Sequence, residues 1–547
     1  MQEIELKFLV PESRLKGLMR QAQVKSSQLT QLAAHYYDTP DQQLAKAGIG
    51  LRIRKEGESW VQTIKAGGDG IAARLEHNVV LDNEQVQAML DANSLMPDLT
   101  IYKDTPIAPA LSKFKLKKLA KTLTRLYVTD VQRTTRLLVE DSSDQIDNQI
   151  NNSIEIAYDH GEIIHGNDDA QREVIQEIEF ELISGDLDFL FMTAKTWCQR
   201  YKLCLSTVTK AERGGLLING QNHSLAVSAD LSQLNINKKT SMPAFVRAAA
   251  HNCLLQILPN SSAIVAGSTD NGHILQLQIG IRRLCAALNA FASFSDEINP
   301  DWQPILSQTA TLLGDYQELD YLANYIEPKL QEYGAPITNW ATDIDALKIK
   351  PIDAISVPDF QLTLLELIAF TMSDPSLEPQ NNKLATDKIV KVLSKQYEKL
   401  LHTDEELGEG NNVESESMDL EDVDLKNIDL EDVDLESTNS NLDTDDQADF
   451  ELHQLTDLRY ITEFCAPLLS KKGSKKRTER QLKFLLKAQK SLEKYHGYAQ
   501  YQQRYQLKSA VDNNALYGAG WFAAVLKNDT KRSDKCLAKV RDRSIFW

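Results

Sequence analysis

Glu3-Ile4-Glu5-Leu6-Lys7-Phe8 opens the chain with a strict alternation of charged and apolar residues. In an extended strand successive side chains point to opposite faces, so the charged residues share one face and the apolar residues share the other. Carboxylates two positions apart on a strand are separated by roughly 7 Å, and carboxylate oxygens are ligands for hard divalent cations. For this hexapeptide alone, an edge strand with a solvated polar face is the simpler interpretation.

The same alternation recurs through the first 214 residues. Strand-like segments that carry it are Leu51–Arg54, Val61–Lys65, Arg74–Glu76, Val128–Leu138, Ile154–Asp159, Glu177–Leu182 and Thr209–Arg213. An antiparallel sheet usually turns its polar face to water, but a sheet that closes into a barrel can line its lumen with that face instead. The pattern predicts an α+β protein whose N-terminal part is an eight-stranded antiparallel β-barrel, with acids and bases opposed across a tunnel and flanking helices outside it.

These motifs resemble the CYTH superfamily of triphosphate tunnel enzymes. Glu3–Lys7 matches the ExExK signature of that superfamily, and Tyr36–Pro40 together with Leu51–Arg54 resembles its second block. Later matches, in the expected order, are Lys65, Arg74 with Glu76, the Glu177-Glu179-Glu181 strand and Lys210. The second half resembles a CHAD domain at Ile281–Leu284 and Leu458–Tyr460. As a whole the chain resembles the bacterial CYTH–CHAD inorganic triphosphatases.

The resemblance implies metal-dependent hydrolysis of inorganic triphosphate to diphosphate and phosphate. Arginine forks and lysine ammonium groups suit phosphate oxygens, and the expected substrate-binding residues are Lys7, Arg52, Arg54, Lys65, Arg74, Arg133 and Lys210. The expected ligands of Mg²⁺ or Mn²⁺ are Glu3, Glu5, Glu76, Glu179 and Glu181. Lys7 and Glu177 are expected to orient or activate the attacking water. A cluster of facing carboxylates titrates as a coupled set, which predicts an alkaline activity optimum.

Two other functions remain open on the sequence. An organic triphosphatase, such as a thiamine triphosphatase, or a class IV adenylyl cyclase needs an aromatic surface for the organic ring. Trp60 is the candidate, but its strand parity is opposite to that of Lys65, and no other aromatic of suitable parity is expected beside the cations. A non-enzymatic polyphosphate scaffold is the third hypothesis. The many acids at Glu3, Glu5 and Glu177–Glu181 argue against it, because anion binding alone does not require them.

The expected domains are a tunnel domain at 1–214, a linker at 215–240 and a helical CHAD-like domain at 241–547. The helical domain has apolar residues at three- and four-residue spacing, which indicates an antiparallel bundle. Its CHAD match is degenerate, since Gln278 and Thr456 stand where the family usually has arginine and lysine. Polyphosphate is a candidate partner of this domain through Arg282, Arg283 and Arg459, although ordinary salt-bridge roles explain these arginines equally well.

The net charge of −18 comes from one segment. Residues 403–450 contain 19 acidic residues and one lysine, which leaves 59 acidic and 59 basic residues elsewhere. Dense like charge with few aromatic residues predicts a disordered acidic insertion. A neutral folded part gives no reason to expect a nucleic-acid partner. The six scattered cysteines, the acidic N-terminus and the lack of an obvious membrane-length apolar run predict a cytoplasmic protein without a membrane contact.

Overall fold

A computed structural model describes residues 2–22, 25–67, 71–140, 152–402, 446–469 and 475–541. The chain divides into two compact units. Unit 1 comprises Met1–Val227, Leu254–His273 and Ile352–Ser373, and unit 2 comprises Ser228–Cys253, Ile274–Pro351 and Asp374–Trp547. Most of the acidic insertion expected at 403–450 lies outside the described residues, but its last five residues begin a helix at Asp446.

Unit 1 is built on a closed antiparallel barrel. Its strands are β1 (Gln2–Leu9), β2 (Gln28–Asp38), β3 (Gly50–Glu56), β4 (Ser59–Gly67), β5 (Ala73–Leu81), β6 (Thr124–Val139), β7 (Ser153–His165) and β8 (Asp168–Ser184), with a short β9 (Cys204–Leu205). The strand order is β5-β4-β3-β2-β6-β7-β8-β1, and β1 also pairs with β5, which closes the circle. β9 adds to β1 at its end. The predicted eight-stranded barrel is confirmed.

The helices of the chain flank the barrel or form unit 2. They are α1 (Glu12–Ala22), α2 (Gln43–Lys46), α3 (Asn83–Asp91), α4 (Ala108–Leu111), α5 (Leu116–Ala120), α6 (Leu187–Tyr201), α7 (Lys210–Ile218), α8 (Met242–Val265), α9 (Asn271–Ala290), α10 (Trp302–Tyr321), α11 (Glu327–Glu332), α12 (Ala341–Ala346), α13 (Pro351–Ile355), α14 (Pro358–Met372), α15 (Ile389–His402), α16 (Asp446–Cys465), α17 (Lys475–Ser509) and α18 (Ala515–Arg541). A π-helical turn, Leu322–Ile326, continues α10 into α11.

The apolar faces of the strands pack outward against helices, as the alternation predicts. Phe8 of β1 meets Phe180 of β8 edge to face at 5.6 Å between ring centroids, and Phe180 meets Trp197 of α6 at the same distance. Trp60 lies in a second apolar cluster with Ile53 and with residues of α3, α4 and α5. Trp60 is therefore packed away from the cationic face of its strand, in agreement with its predicted parity.

One expected strand is a helix, and one strand was not expected. Residues 209–213 begin α7: Thr209 accepts a hydrogen bond from the Glu212 N–H, and the Glu212 side chain accepts one from the Thr209 N–H. This capping box fixes a helix start. β2 supplies the eighth strand instead. Strand β2 lacks the alternation of charged and apolar residues, because Ala34 and Tyr36 belong to an apolar cluster.

Helix α7 packs against the barrel through the tyrosines of β2 and β6. Tyr36 stacks on Tyr127 at 4.8 Å between ring centroids, and the Tyr127 hydroxyl donates to the Ala211 carbonyl at 2.9 Å. A Cβ at Gly214 would lie 2.2 Å from the Tyr127 ring. The absence of a side chain at position 214 therefore lets α7 approach the ring closely.

The described residues of unit 2 are largely helical, and the C-terminal region of the chain is therefore largely helical, as predicted. In one core, Leu485 and Leu492 of α17 pack with Leu455 of α16 and with Leu537 of α18. A second core gathers aromatic residues, among them Tyr501, Tyr505 and Phe522. Helices α17 and α18 lie within the helical domain expected at 241–547.

One stretch, Ala341–Met372, is long and apolar enough to cross a membrane by length and composition. This corrects the expectation that no segment approaches that length. Half of its apolar window is buried within the structure, and Phe360, Leu364 and Leu367 of α14 are fully buried. A buried core helix gives the same hydropathy signal as a membrane span.

Candidate active site

A row of carboxylates crosses three neighbouring strands inside the barrel. Glu5 of β1 pairs in register with Glu181 of β8, and Glu181 pairs with Glu155 of β7. Residues directly opposite each other on antiparallel strands point to the same face. The pKa of Glu181 is raised to about 7. Burial is the largest cause of the rise, and the neighbouring Glu155 and Glu5 add to it, whereas Lys65 acts in the opposite direction.

Glu3 and Glu76 extend this acidic group around Lys65. The Lys65 ammonium lies 2.7 Å from a carboxylate oxygen of each, and Arg74 Nε lies 3.1 Å from Glu5 Oε1. Burial raises the pKa of Glu3 to about 8, and its hydrogen bond with Glu76 adds to the rise. Burial opposes ionisation of Glu76 as well, but the hydrogen bond from Glu3 and the charge of Lys65 lower its pKa to about 2. Glu3 and Glu76 therefore differ in how readily they ionise, although both contact Lys65.

A second acidic group, formed by Asp159, Glu177 and Glu179, is already paired with cations. Arg133 binds Asp159 with both fork nitrogens, at 2.7 and 2.6 Å, and reaches Glu179 at 2.5 Å. Lys210 lies 2.8 Å from Asp159 and from Glu179, and it also contacts Glu177. Burial would raise the pKa of Glu179, but Lys210, Arg133 and Lys7 hold it well below its usual value.

Lys210 reaches this group from the first turn of α7. Burial would lower the pKa of Lys210, but Asp159, Glu177 and Glu179 raise it well above its usual value. The ammonium is therefore a fixed positive charge at the helix start. Arg213, one turn further along α7, lies with Nη1 3.7 Å from Glu177 Oε2. Both atoms are buried, and neither has a hydrogen-bond partner among the described residues.

Lys7 is buried and lies opposite Glu179 in the β1–β8 ladder. Its ammonium donates a hydrogen bond to the Val208 carbonyl. Burial lowers the pKa of Lys7, with Glu177 acting in the opposite direction. Burial therefore favours the neutral amine of this lysine more than it does for an exposed lysine.

Arg52 and Arg54 lie on β3, on the same face two residues apart. Arg52 donates to the Tyr36 hydroxyl at 3.3 Å, and Arg54 Nε donates to Glu56 at 2.7 Å. Burial would raise the pKa of Tyr36, but Arg52 and other cations lower it. The expectation that no aromatic residue lies beside the cations was wrong, because Tyr36 does. Its ring, however, is buried and stacked on Tyr127.

Each of the two acidic groups offers carboxylate ligands for a divalent cation. Asp159, Glu177 and Glu179 have oxygens within 4.8 Å of one another, the spacing that a metal ion needs, but Arg133 and Lys210 neutralise them. The first group is paired with Lys65 and Arg74, and burial raises the pKa values of Glu3 and Glu181, which opposes their ionisation. A hard cation stabilises such a group in its ionised form.

The structure brings together most residues predicted from the sequence and adds several. The predicted residues at positions 3, 5, 76 and 181 form the first group, and those at 133, 177, 179 and 210 belong to the second. Glu155 and Arg213 complete the groups, together with Asp159, whose pairing with Arg133 agrees with the arginine partner that its sequence position suggested. Glu155 has the lumen-facing parity of its strand, so alternation could have identified it. No sequence signal separates Arg213 from an ordinary helix-surface arginine.

In unit 2, two of the arginines named for polyphosphate have internal partners. Arg283 is fully buried, donates to Asn252 at 2.9 Å, and lies 5.2 Å from the Phe464 ring centroid. Arg459 pairs with Glu463 at 2.8 Å and covers the Tyr460 ring at 4.3 Å. These contacts match the structural role that the sequence left open for them.

Comparison with known proteins follows the two halves of the chain. Residues 1–214 match the CYTH domain model, and residues 248–506 match the CHAD domain model. The chain is similar to the inorganic triphosphatase of Haemophilus influenzae, with 31% identity over 223 residues. That match covers 40% of this chain and 55% of the relative, so the chain matches only about half the length of that curated protein.

Solved structures show weaker similarity. The CHAD domain from the plant Ricinus communis aligns with a TM-score of 0.43 and 18% identity, over 58% of this chain and 97% of that chain. A Hippeastrum protein described as an adenylyl cyclase with a dominant triphosphatase activity aligns with a TM-score of 0.29 and 14% identity, over 40% and 96%. Similarity at this level carries no argument about function. The family models show that this chain contains a CYTH domain at residues 1–214, followed by a CHAD domain at residues 248–506.

Proposed function

We propose that the barrel hydrolyses inorganic triphosphate to diphosphate and phosphate with Mg²⁺ or Mn²⁺ as cofactor. The observation that supports the proposal is that one lumen holds a row of half-buried carboxylates together with a set of cations. Glu5 and Glu181 represent the first, and Arg52 and Arg133 the second. A bound metal would neutralise the negative charge of the carboxylates, and a polyanionic substrate would neutralise the positive charge of the lumen cations. The named activity of the Haemophilus influenzae relative supports the same reaction.

The substrate would be held by the lumen cations. These are Lys7, Arg52, Arg54, Lys65, Arg74, Arg133 and Lys210. Guanidinium groups bind phosphate oxygens in a fixed fork, and ammonium groups act as point charges. Arg133 and Lys210 are engaged by Asp159 in the structure, so substrate binding to them requires these pairs to loosen or to be shared. Arg52, which contacts only the neutral Tyr36 hydroxyl at hydrogen-bond distance in the described part, is the readiest contact for phosphate.

The metal would be held by Glu3, Glu5, Glu76 and Glu181, with Glu179 at the boundary to the second acidic group. When bound, the ion supplies charge neutralisation for the phosphoryl oxygens. Binding would favour the ionised forms of Glu3 and Glu181, whose pKa values burial raises. Lys65, which contacts Glu3 and Glu76, would then be available to the substrate.

Glu177 and Lys7 would serve the attacking water. Glu177 Oε2 is buried without a hydrogen-bond partner among the described residues, so it can accept a hydrogen bond from a water molecule. The oxygen of that water attacks the terminal phosphorus and the bond to the bridging oxygen breaks, which releases diphosphate. Glu177 accepts the proton of the water. Lys7, on the same lumen face as Glu179, would help to orient that water.

An inorganic substrate is preferred to an organic one because the described aromatic residues near the cations are occupied. Trp60 belongs to an apolar cluster with the flanking helices, and the Tyr36 ring is stacked on Tyr127. An organic ring entering the lumen would need one of these faces.

The direct test is phosphate release from tripolyphosphate, ATP and thiamine triphosphate in parallel, with Mg²⁺, with Mn²⁺ and with a chelator. We expect fast, metal-dependent release from tripolyphosphate alone. Arg54→Ala should raise KM for tripolyphosphate more than it lowers kcat. Preference for an organic triphosphate would overturn the substrate assignment, and tight binding without turnover would indicate a polyphosphate scaffold.

We also propose that any polyphosphate contact of unit 2 uses α17. Lys476, Arg480, Lys483, Lys487 and Lys490 are exposed, and their three- and four-residue spacing places them on one face of the helix. Lys483→Glu with Lys487→Glu should weaken polyphosphate binding. Lys113→Glu with Lys117→Glu, which alters exposed lysines of unit 1, should not. Equal loss in both double variants would reject the α17 surface.

A cytoplasmic location is part of the proposal. All six cysteines are free thiols, which suits a reducing compartment. Fractionation of cells with an antibody to the chain tests the location directly.

A further inference from the structure

Unit 1 contains a cavity of about 800 Å³ whose described lining includes none of the site residues predicted from the sequence. Strands β1 and β8, the segment after β9, α7, and the ends of α8 and α14 contribute to its wall. Cavities of this size bind small molecules in many proteins, usually on an apolar wall with a few polar groups. The cavity therefore has the dimensions of a ligand site.

The wall of this cavity combines an aliphatic surface with cationic groups. The aliphatic part includes Leu9, Val174, Val208, Leu216, Ala263 and Ile352. Arg14, Lys202 and Arg213 are the cations, and Glu173 and Asp353 are the carboxylates. Arg213 Nε donates to Glu173 at 2.6 Å, so one of the two acids is already satisfied. This composition suits a ligand with an apolar body and an anionic group.

Arg213 connects the cavity to the barrel lumen. Its Nη1 lies 3.7 Å from Glu177 Oε2, and the two buried atoms lack hydrogen-bond partners within the described residues. The guanidinium is thus divided between Glu173 on the cavity wall and Glu177 in the second acidic group. An anion in the cavity would compete with Glu177 for this cation.

Val208 makes a second connection. Its carbonyl accepts the hydrogen bond of the buried Lys7 ammonium, and Val208 itself lines the cavity. Ser206, two residues before Val208, donates its backbone N–H to the Lys7 carbonyl at 2.9 Å. Movement of this segment would therefore shift a lysine of the lumen.

We propose that this cavity binds a small amphipathic anion, and that its binding lowers turnover in the barrel by drawing Arg213 away from Glu177. Arg213 acts as a positioning residue, because it touches Glu177 and not the substrate. Since the ligand and tripolyphosphate occupy different places, kcat should fall while KM stays unchanged. The effect on turnover rests on the proposed hydrolysis, whereas binding to the cavity does not.

The test uses anilinonaphthalene sulfonate as the probe, since it combines an anionic group with an apolar body. Fluorescence titration of the full chain should show saturable binding to one site. Ala266→Trp places a large side chain at the exposed edge of the cavity and should weaken this binding about ten-fold or more. The control Ala170→Trp makes the same change at an exposed position of the β7–β8 hairpin and should leave binding unchanged.

Tripolyphosphate hydrolysis gives the second readout. The probe should lower kcat of the wild-type chain about five-fold, at the small end of usual coupling between two sites. It should have no effect on Ala266→Trp. Equal probe binding by Ala266→Trp and Ala170→Trp would overturn the cavity assignment, and inhibition competitive with tripolyphosphate would overturn the coupling. If no variant hydrolyses tripolyphosphate, the proposed function fails, while the difference in probe binding still decides the cavity.

Discussion

Glu5 of β1 lies directly opposite Glu181 of β8, so two carboxylates share one face of the barrel at a paired position. Like charges directly opposite on a sheet destabilise it. The raised pKa of Glu181, which burial and neighbouring carboxylates cause, is the electrostatic consequence. The metal site proposed above would account for an arrangement that costs stability in the metal-free chain.

Replacing one of these two carboxylates should separate stability from activity. Glu181→Gln removes the opposed charge, so we expect the metal-free chain to gain about 0.5–1 kcal/mol in the free energy of unfolding. Metal-dependent turnover should fall on the order of 10²-fold or more. Urea unfolding and phosphate release measure the two effects. The exposed change Glu84→Gln should alter neither, and retained turnover in Glu181→Gln would remove that residue from the metal site.

The stability of the metal-free chain should fall as pH rises from 6 to 8.5. Burial, followed by neighbouring acids, raises the pKa of Glu3 to about 8. A carboxyl group whose pKa is higher in the folded chain contributes stability below its unfolded value near 4.5, and this contribution is lost as pH rises through the folded value. Relative to Glu3→Gln, the loss should be at most about 1.4 kcal/mol per pH unit.

Magnesium should reverse this loss. Because the ion binds ionised carboxylates, it should stabilise the wild-type chain more at pH 8.5 than at pH 6, and turnover should rise over the same interval. Thermal unfolding with and without Mg²⁺ at both pH values is the measurement. Parallel pH curves for the wild-type chain and Glu3→Gln, or an acidic optimum of turnover, would contradict the assignment.

Arg133 should be far more important for stability than an exposed arginine of the same domain. Asp159 is fully buried, and Arg133 binds it with two hydrogen bonds. Arg133→Gln would leave that carboxylate without its main partner, so we expect a loss of about 3–5 kcal/mol in the free energy of unfolding. Arg172→Gln breaks an exposed pair with Glu162 and should cost less than about 1 kcal/mol. Similar costs for both variants in urea would reject the structural role of Arg133.

Two adjacent glycines of α7 offer a test of how this helix packs on the barrel. At Gly214 an added Cβ would lie 2.2 Å from the Tyr127 ring, whereas at Gly215 the nearest atom is the end of the Gln42 side chain at 3.4 Å. Gly214→Ala should therefore destabilise the chain by about 1–3 kcal/mol and lower turnover, because Lys210 lies on the same helix. Gly215→Ala should be neutral or slightly stabilising. Equal unfolding curves for the two variants would contradict the close packing.

Strand alternation was sufficient to predict most of the barrel and its lumen. Ile4, Leu6 and Phe8 identify the outer face of β1, and the same two-residue period places Trp60 outside. Strand β2 was not predicted from the sequence, because its inward positions hold Ala34 and Tyr36, which are uncharged and do not form a charge pattern. Residues 209–213 share the charged rhythm of the strands, but the Thr209–Glu212 capping box makes them a helix.

Pairing inside the lumen could not be predicted in the same way. Strand parity places Glu179 and Glu181 on one face. It does not show that Arg133 and Lys210 pair with Glu179 and not with Glu181. That distinction depends on side chains from different strands and from α7 meeting in three dimensions. Arg213 was missed for the same reason, because its contact with Glu177 crosses between elements.

The measurement that tests the account most directly is Mn²⁺ binding at pH 8, followed by electron paramagnetic resonance, for the wild-type chain, Glu5→Gln and Glu177→Gln. The account predicts that Glu5→Gln loses binding on the order of ten-fold or more, because Glu5 lies in the row of carboxylates with Glu181 and Glu155. Glu177→Gln should bind Mn²⁺ as the wild-type chain does while losing turnover. If Glu177→Gln loses the metal and Glu5→Gln retains it, the cation site lies among Asp159, Glu177 and Glu179, and the central assignment is wrong.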